Sequence, residues 1–261
     1  MNAVAVILAK EWLDLRKDRL IVLGTLAPSL LLTALPLIGA WAAGRMGTDA
    51  PGVTNTNVPQ AAPVGLSAPE FGQAIIGQQA LVLFLLLPLL VPSIIASYSI
   101  VGEKTHRTLE PILATPVRSW ELLLGKALAA FIPALALTWT LAAVYAAGMA
   151  ALAVSPRVWQ LVITPTWLIV ILLCGPLLAL LAVALMVAIS TRVNDPRTAQ
   201  QLSGFLVMPL TAVVIGQLSG RLVLGPAFAL GAAAALAVLT TLAGLVALRL
   251  FAREVVLTRW R

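Results

Sequence analysis

FGQAIIGQQALVLFLLLPLLVPSIIASYSIVG, residues Phe71–Gly102, runs for 32 positions without Asp, Glu, Lys, Arg or His. A helix needs about 20 mostly apolar residues to cross the hydrocarbon core of a bilayer. This stretch exceeds that length and offers no charged face to water. Similar runs recur at Leu20–Gly44, Ala127–Pro156, Val158–Thr191, Thr198–Gly220 and Leu222–Leu248. The chain of 261 residues is 61% hydrophobic and 10% charged, whereas a soluble surface calls for roughly a quarter charged residues. The pattern predicts an all-α integral membrane protein, a single transmembrane domain over residues 1–261. Six transmembrane helices are expected, with spans near 20–42, 76–101, 124–147, 166–190, 202–218 and 226–249.

The net charge of +7 would suit a nucleic-acid partner, but its placement argues against one. The cations sit at the ends of apolar runs rather than along one face, so they set topology beside anionic headgroups. With the N-terminus inside, only Arg45, Arg157 and Arg221 of the 17 lysines and arginines fall outside. Both termini are therefore expected in the cytoplasm, with membrane lipid as the surrounding partner. Residues 1–19 read as an interfacial amphipathic helix, with Val4, Leu8, Trp12 and Leu15 opposite Lys10, Asp14 and Lys17. No small-residue cleavage pattern marks a signal peptide.

The segment Arg45–Glu70 is rich in turn residues and reads as an exterior connector. Trp41, Trp159 and Trp167 fall near outer boundaries and Trp12 and Trp260 near inner ones, as interfacial indoles do. Pro28, Pro36, Pro88, Pro92, Pro133, Pro176 and Pro209 interrupt the spans, where each removes a backbone donor.

Chemistry has few footholds. Gly125-Lys126 lacks the upstream glycine and following hydroxyl of a phosphate-binding loop, and neither H-E-x-x-H nor G-x-S-x-G occurs. His106 is the sole histidine, set among charges. Cys174, the sole cysteine, excludes an internal disulfide and reads as a packing residue. No catalytic, metal or cofactor-binding residue is assigned. The span centres hold no titrating carboxylate, amine or imidazole for a proton relay. Gln78, Gln79, Thr138, Thr140, Tyr145 and Gln217 could line a polar substrate pathway or bond between helices.

The charged break after Gly102 reads EKTHRTLEPILATPVRSWELLLGK, Glu103–Lys126. Thr108 suits an N-cap and Pro111 a first helical turn. Leu109, Ile112 and Leu113 then share a face of a short helix ending near Ala114. Thr115-Pro116 starts the next helix. Residues 103–123 thus form a loop holding a short cytoplasmic helix between two breaks.

The run VGEKTHRTLEPILATPVRSWELLLGK resembles the loop between the second and third spans of type-2 ATP-binding-cassette (ABC) exporter permeases. KEWLDLRKDR at Lys10–Arg19 looks like their N-terminal connecting helix, STRVNDPRTAQQLSGFLVMPL at Ser190–Leu210 like their second inner loop, and FAREVVLTRWR at Phe251–Arg261 like their tail. The resemblance implies a permease subunit that works as a homodimer, or with a paralogue, and exports a substrate across a bacterial-type cytoplasmic membrane. Two separate ABC ATPase subunits would bind ATP and Mg, so this chain would bind no cofactor and be no enzyme. The coupling element would be Thr108–Pro116, with Glu103, Lys104, Arg107 and Glu110 as polar contacts, Leu109 and Leu113 buried, and Thr115 and Pro116 at its end. Asp195, Pro196 and Arg197 would form the lesser inner loop, Asp195 capping the helix that Pro196 opens. The rivals are an ATP-independent secondary transporter or channel, and an intramembrane enzyme.

Overall fold

The computed structural model describes residues 3–45, 66–101, 119–190 and 224–250, and between the last two 193, 195, 198, 201–202 and 204–218. All regular structure among them is helical. Helix α1 spans Ala3–Lys17, α2 Arg19–Arg45, α3 Ala68–Ala96, α4 Ser119–Leu152, α5 Pro156–Val162, α6 Pro165–Ile169, α7 Gly175–Ser190, α8 Val207–Leu218 and α9 Pro226–Leu250. Two wide π-helical turns are built in, Ser97–Val101 after α3 and Val170–Cys174 between α6 and α7.

Local chemistry sets these boundaries. The Asp18 carboxylate accepts from the backbone N–H groups of Leu20 (2.9 Å) and Ile21 (3.3 Å), capping α2. Glu70 reaches back to the Ser67 N–H at 2.8 Å, opening α3. Pro156 and Pro165 occupy first-turn positions of α5 and α6, where no N–H is needed.

Five helical segments are long and apolar enough to span a bilayer, at Arg19–Arg45, Ala68–Ser99, Trp120–Leu152, Pro165–Ser190 and Pro226–Leu250. The chain is therefore an all-α, multi-pass membrane protein. Within the sixth expected span, 202–218, a 3-10 turn at Gly204–Leu206 precedes α8, whose 12 residues rise about 18 Å. Alone, that length falls short of the hydrocarbon core of roughly 30 Å. The helices that carry the second and third apolar runs begin at Ala68 and Ser119, and the latter continues to Leu152.

Helix α3 is the axis of the bundle, with 78% of its apolar window buried, against 11% for α9. The face α2 turns to it is lined by small residues, Thr25, Ser29, Thr33, Ala40 and Ala43 among them, which lets two backbones approach. At Gly77 a side chain would collide with Val162, so glycine there allows α5 to lie against α3. Apolar packing forms two large clusters. One joins Val91, Ile94 and Ile95 to Leu122, Leu123, Met186 and Ala247; the other joins Phe84 and Leu87 to Tyr145, Met149, Val158 and Ile171. They mark opposite ends of the bundle.

Candidate functional site

At the end where α3 finishes and α4 begins, α1 lies across α4. Val4, Ile7, Glu11 and Leu15 share the turned-in face, and Glu11 is buried in it. Gly125 makes the approach feasible, since a Cβ there would stand 2.7 Å from the Ile7 side chain. The next residue, Lys126, then meets Glu11: its Nζ lies 2.8 Å from Glu11 Oε1, the two side chains being 1% and 6% exposed. Ser99, in the first π turn, closes the arrangement. Its hydroxyl donates to Glu11 Oε2 at 2.6 Å, and Lys126 Nζ donates to the Ser99 carbonyl (3.2 Å) and hydroxyl (3.1 Å).

The electrostatics follow from this geometry. Burial pushes the Glu11 carboxyl up, but the charge and hydrogen bond of Lys126, the Ser99 hydroxyl and the more distant Lys10 outweigh it. The carboxyl is held below its ordinary value of 4.5. Such a pair is neutral as a unit, and each half is costly without the other. It fastens both flanks of segment 102–118 to α1.

The opposite end uses no charge. Gln73 is fully buried; its amide donates to the Ala40 carbonyl at 3.0 Å and the Leu152 carbonyl at 2.9 Å, and its oxygen accepts from the Val154 N–H at 3.0 Å. One side chain thereby joins α2, α3 and the end of α4. Nearby, the Tyr145 hydroxyl donates to the Gly77 carbonyl at 3.1 Å, and its ring lies 5.0 Å from that of Phe84.

The residues singled out in the sequence fall differently. Glu103, Lys104, Arg107, Thr108, Leu109, Glu110, Leu113, Thr115, Pro116 and Arg197 lie outside the described residues. Asp195 acts as a cap, accepting from the Thr198 N–H at 2.9 Å and its hydroxyl at 3.0 Å. Among the polar pathway residues, Thr138 donates to its own helix at Ala134 (2.7 Å), and exposed Gln78 reaches the Leu161 carbonyl at 3.3 Å. Gln79 is half-buried, and the buried Gln217 Oε1 has no hydrogen-bond partner among the described residues. Thr138, Thr140 and Tyr145 lie on α4, whereas Gln78 and Gln79 lie on α3 and Gln217 on α8. Trp167, near the start of the span Pro165–Ser190, is buried among the helices.

Sequence reasoning missed Glu11, Ser99, Lys126 and Gln73. A signal existed for Glu11: at helical spacing it falls between Ile7 and Leu15, a lone carboxylate on an apolar face, which requires a buried partner.

No curated protein matches the chain. Residues 23–242, most of its length, match the ABC-2 family transporter proteins. The helical bundle and the family match together identify the chain as a member of the ABC-2 family, a membrane permease component and not itself an ATPase.

Proposed function

We propose that the chain exports a substrate as one half of a permease dimer, driven by ATP hydrolysed on two separate ABC ATPase subunits that also hold the nucleotide and Mg. The membrane is a bacterial-type cytoplasmic membrane, with both termini inside. ATP-driven motion enters through loop 103–123, where Leu109 and Leu113 dock apolar and Glu103, Lys104, Arg107 and Glu110 dock polar. Asp195 and Arg197 belong to a second, smaller contact. Gln78, Gln79, Thr138, Tyr145 and Gln217 stay candidates for the substrate path.

The observation that carries this reading is the buried Glu11–Ser99–Lys126 node. It ties both flanks of the loop to α1, so a push on the loop reaches three helices as one body. The same end carries Arg16, Lys17, Arg19 and Arg249 in or beside its helix termini, which suits the cytoplasmic face. The ionised pair lies where α3 finishes and α4 begins, not at the span centres where a proton-coupled transporter needs its titrating groups.

The test is co-expression of the chain with the ATPases of its own genome, followed by capture and reconstitution. Leu109→Asp or Leu113→Asp should release the ATPase or uncouple hydrolysis from transport while the permease stays folded in detergent. Transport that survives ATP depletion, or unchanged assembly and coupled hydrolysis in both variants, would overturn the reading.

A further inference from the structure

A cavity of about 290 Å³ lies between α3, α7, α8 and α9. Its lining is hydrocarbon apart from Thr166 and Cys174, and the Cys174 thiol is turned to the Ala229 carbonyl at 3.6 Å. Without several polar partners a water gains little there, and apolar cavities of this kind stay dry and accept apolar ligands.

Its shape is a slot. Along α9 the lining runs from Phe228 through Ala232 and Leu236 to Leu239, about 16 Å at the helical rise. Opposite, it runs from Val170 to Leu181, a similar length. A cavity this long and this apolar suits an extended hydrocarbon chain in length and in chemistry.

The slot is also sided. Its deep wall, including Val82, Leu89, Cys174 and Leu178, is under a tenth exposed, whereas Phe228 and Leu239 on the rim are 39% and 52% exposed. Helix α8 packs on α3 and α9 packs on α7, and among the described residues no comparable contact joins α8 to α9. Among the described residues the mouth therefore opens between α8 and α9, on the side where α9, apolar and long enough to span a bilayer, has only 11% of its apolar window buried. The medium at that mouth is acyl chain, at bulk concentration.

We propose that this slot holds one acyl chain of a membrane phospholipid, inserted between α8 and α9. This goes beyond the export reading and does not depend on it. A seated chain fills a void whose walls otherwise lack contact partners, and it supports the short helix α8 on the side where α9 does not reach it.

The test uses the full chain in phospholipid nanodiscs doped with a phospholipid carrying a diazirine midway along one acyl chain. After irradiation and digestion, adducts are mapped by mass spectrometry. They should concentrate on Cys174, Leu178, Phe228 and Leu236. Ala232→Phe, which fills the slot, should cut those adducts about tenfold while leaving adducts on the outward Leu242 and Leu245 unchanged. Ala235→Leu provides a milder filling should the first variant fold poorly. The proposal is overturned if wild-type adducts fall only on the outward leucines, or if both variants leave the pattern intact. It is equally overturned if only a photoactivatable free fatty acid labels the slot. Loss of dimer in Ala232→Phe with unchanged adducts would make the slot a contact between copies, which also sinks it.

Discussion

At one end of the bundle Lys126 and Glu11 join α4 to α1 through charge; at the other, Gln73 joins α3 to α2 and α4 through an uncharged amide. Both side-chain sets are buried and both serve several partners, yet they fail differently. An amide that loses a partner leaves a neutral dipole unsatisfied. A buried carboxylate that loses its ammonium leaves a bare charge in a low-dielectric setting. The neutral clasp holds by degrees, while the ionic one is close to all-or-none. The ionic one stands beside the loop proposed to receive force, where a unit that moves whole is more useful than one that yields in parts.

The strongest way to break this contrast is Lys126→Met, which strands Glu11. We expect a loss of about 3–5 kcal/mol, read as a fall in thermal unfolding temperature in detergent. Adding Glu11→Leu should restore most of it, since removing both charges takes away the uncompensated one. If the double variant is as unstable as the single, the pair is not the unit.

Gln73→Leu tests the other end. It orphans the Val154 N–H and takes one hydrogen bond each from the Ala40 and Leu152 carbonyls, and should cost about 2 kcal/mol. No second substitution should rescue it. A loss equal to that of Lys126→Met would erase the distinction between the two ends.

The smallest effect is the dependence on acid. Because the folded Glu11 carboxyl is held below 4.5, the stability tied to its ionisation is fully present above that value. It is lost as pH falls through the lower folded value. Unfolding temperature below pH 4.5 should therefore fall more steeply in the wild type than in the Glu11→Leu, Lys126→Met double variant. Gln73→Leu should keep the wild-type steepness, and parallel curves for all three would deny Glu11 this role.

The long spans were legible because a composition signal sustained over some 20 residues survives local irregularity. The tighter turn at Gly204–Leu206 was not, because apolar content does not reveal how a short stretch of helix winds. Asp195 was legible as a cap because its partner is three residues away. Lys126 and Glu11 are 115 residues apart, and only the lone carboxylate on the α1 face hinted at the need for a partner. Two of the glutamines named from the sequence, Gln78 and Gln79, sit on α3 a little beyond the buried Gln73. Composition marks such residues alike, and only packing separates a clasp from a surface amide.

The first π turn, Ser97–Val101, carries one residue more than an α turn would need. Deleting a single residue there would restore regular winding but rotate everything beyond it by about 100°. Ser99 or its replacement would then face away from Glu11 and Lys126, and the chain would leave α3 on a different azimuth. The spacing between the second span and its following loop is thus fixed by residue count as well as by residue type, so an insertion or deletion at this point acts as a change of gear rather than a change of surface.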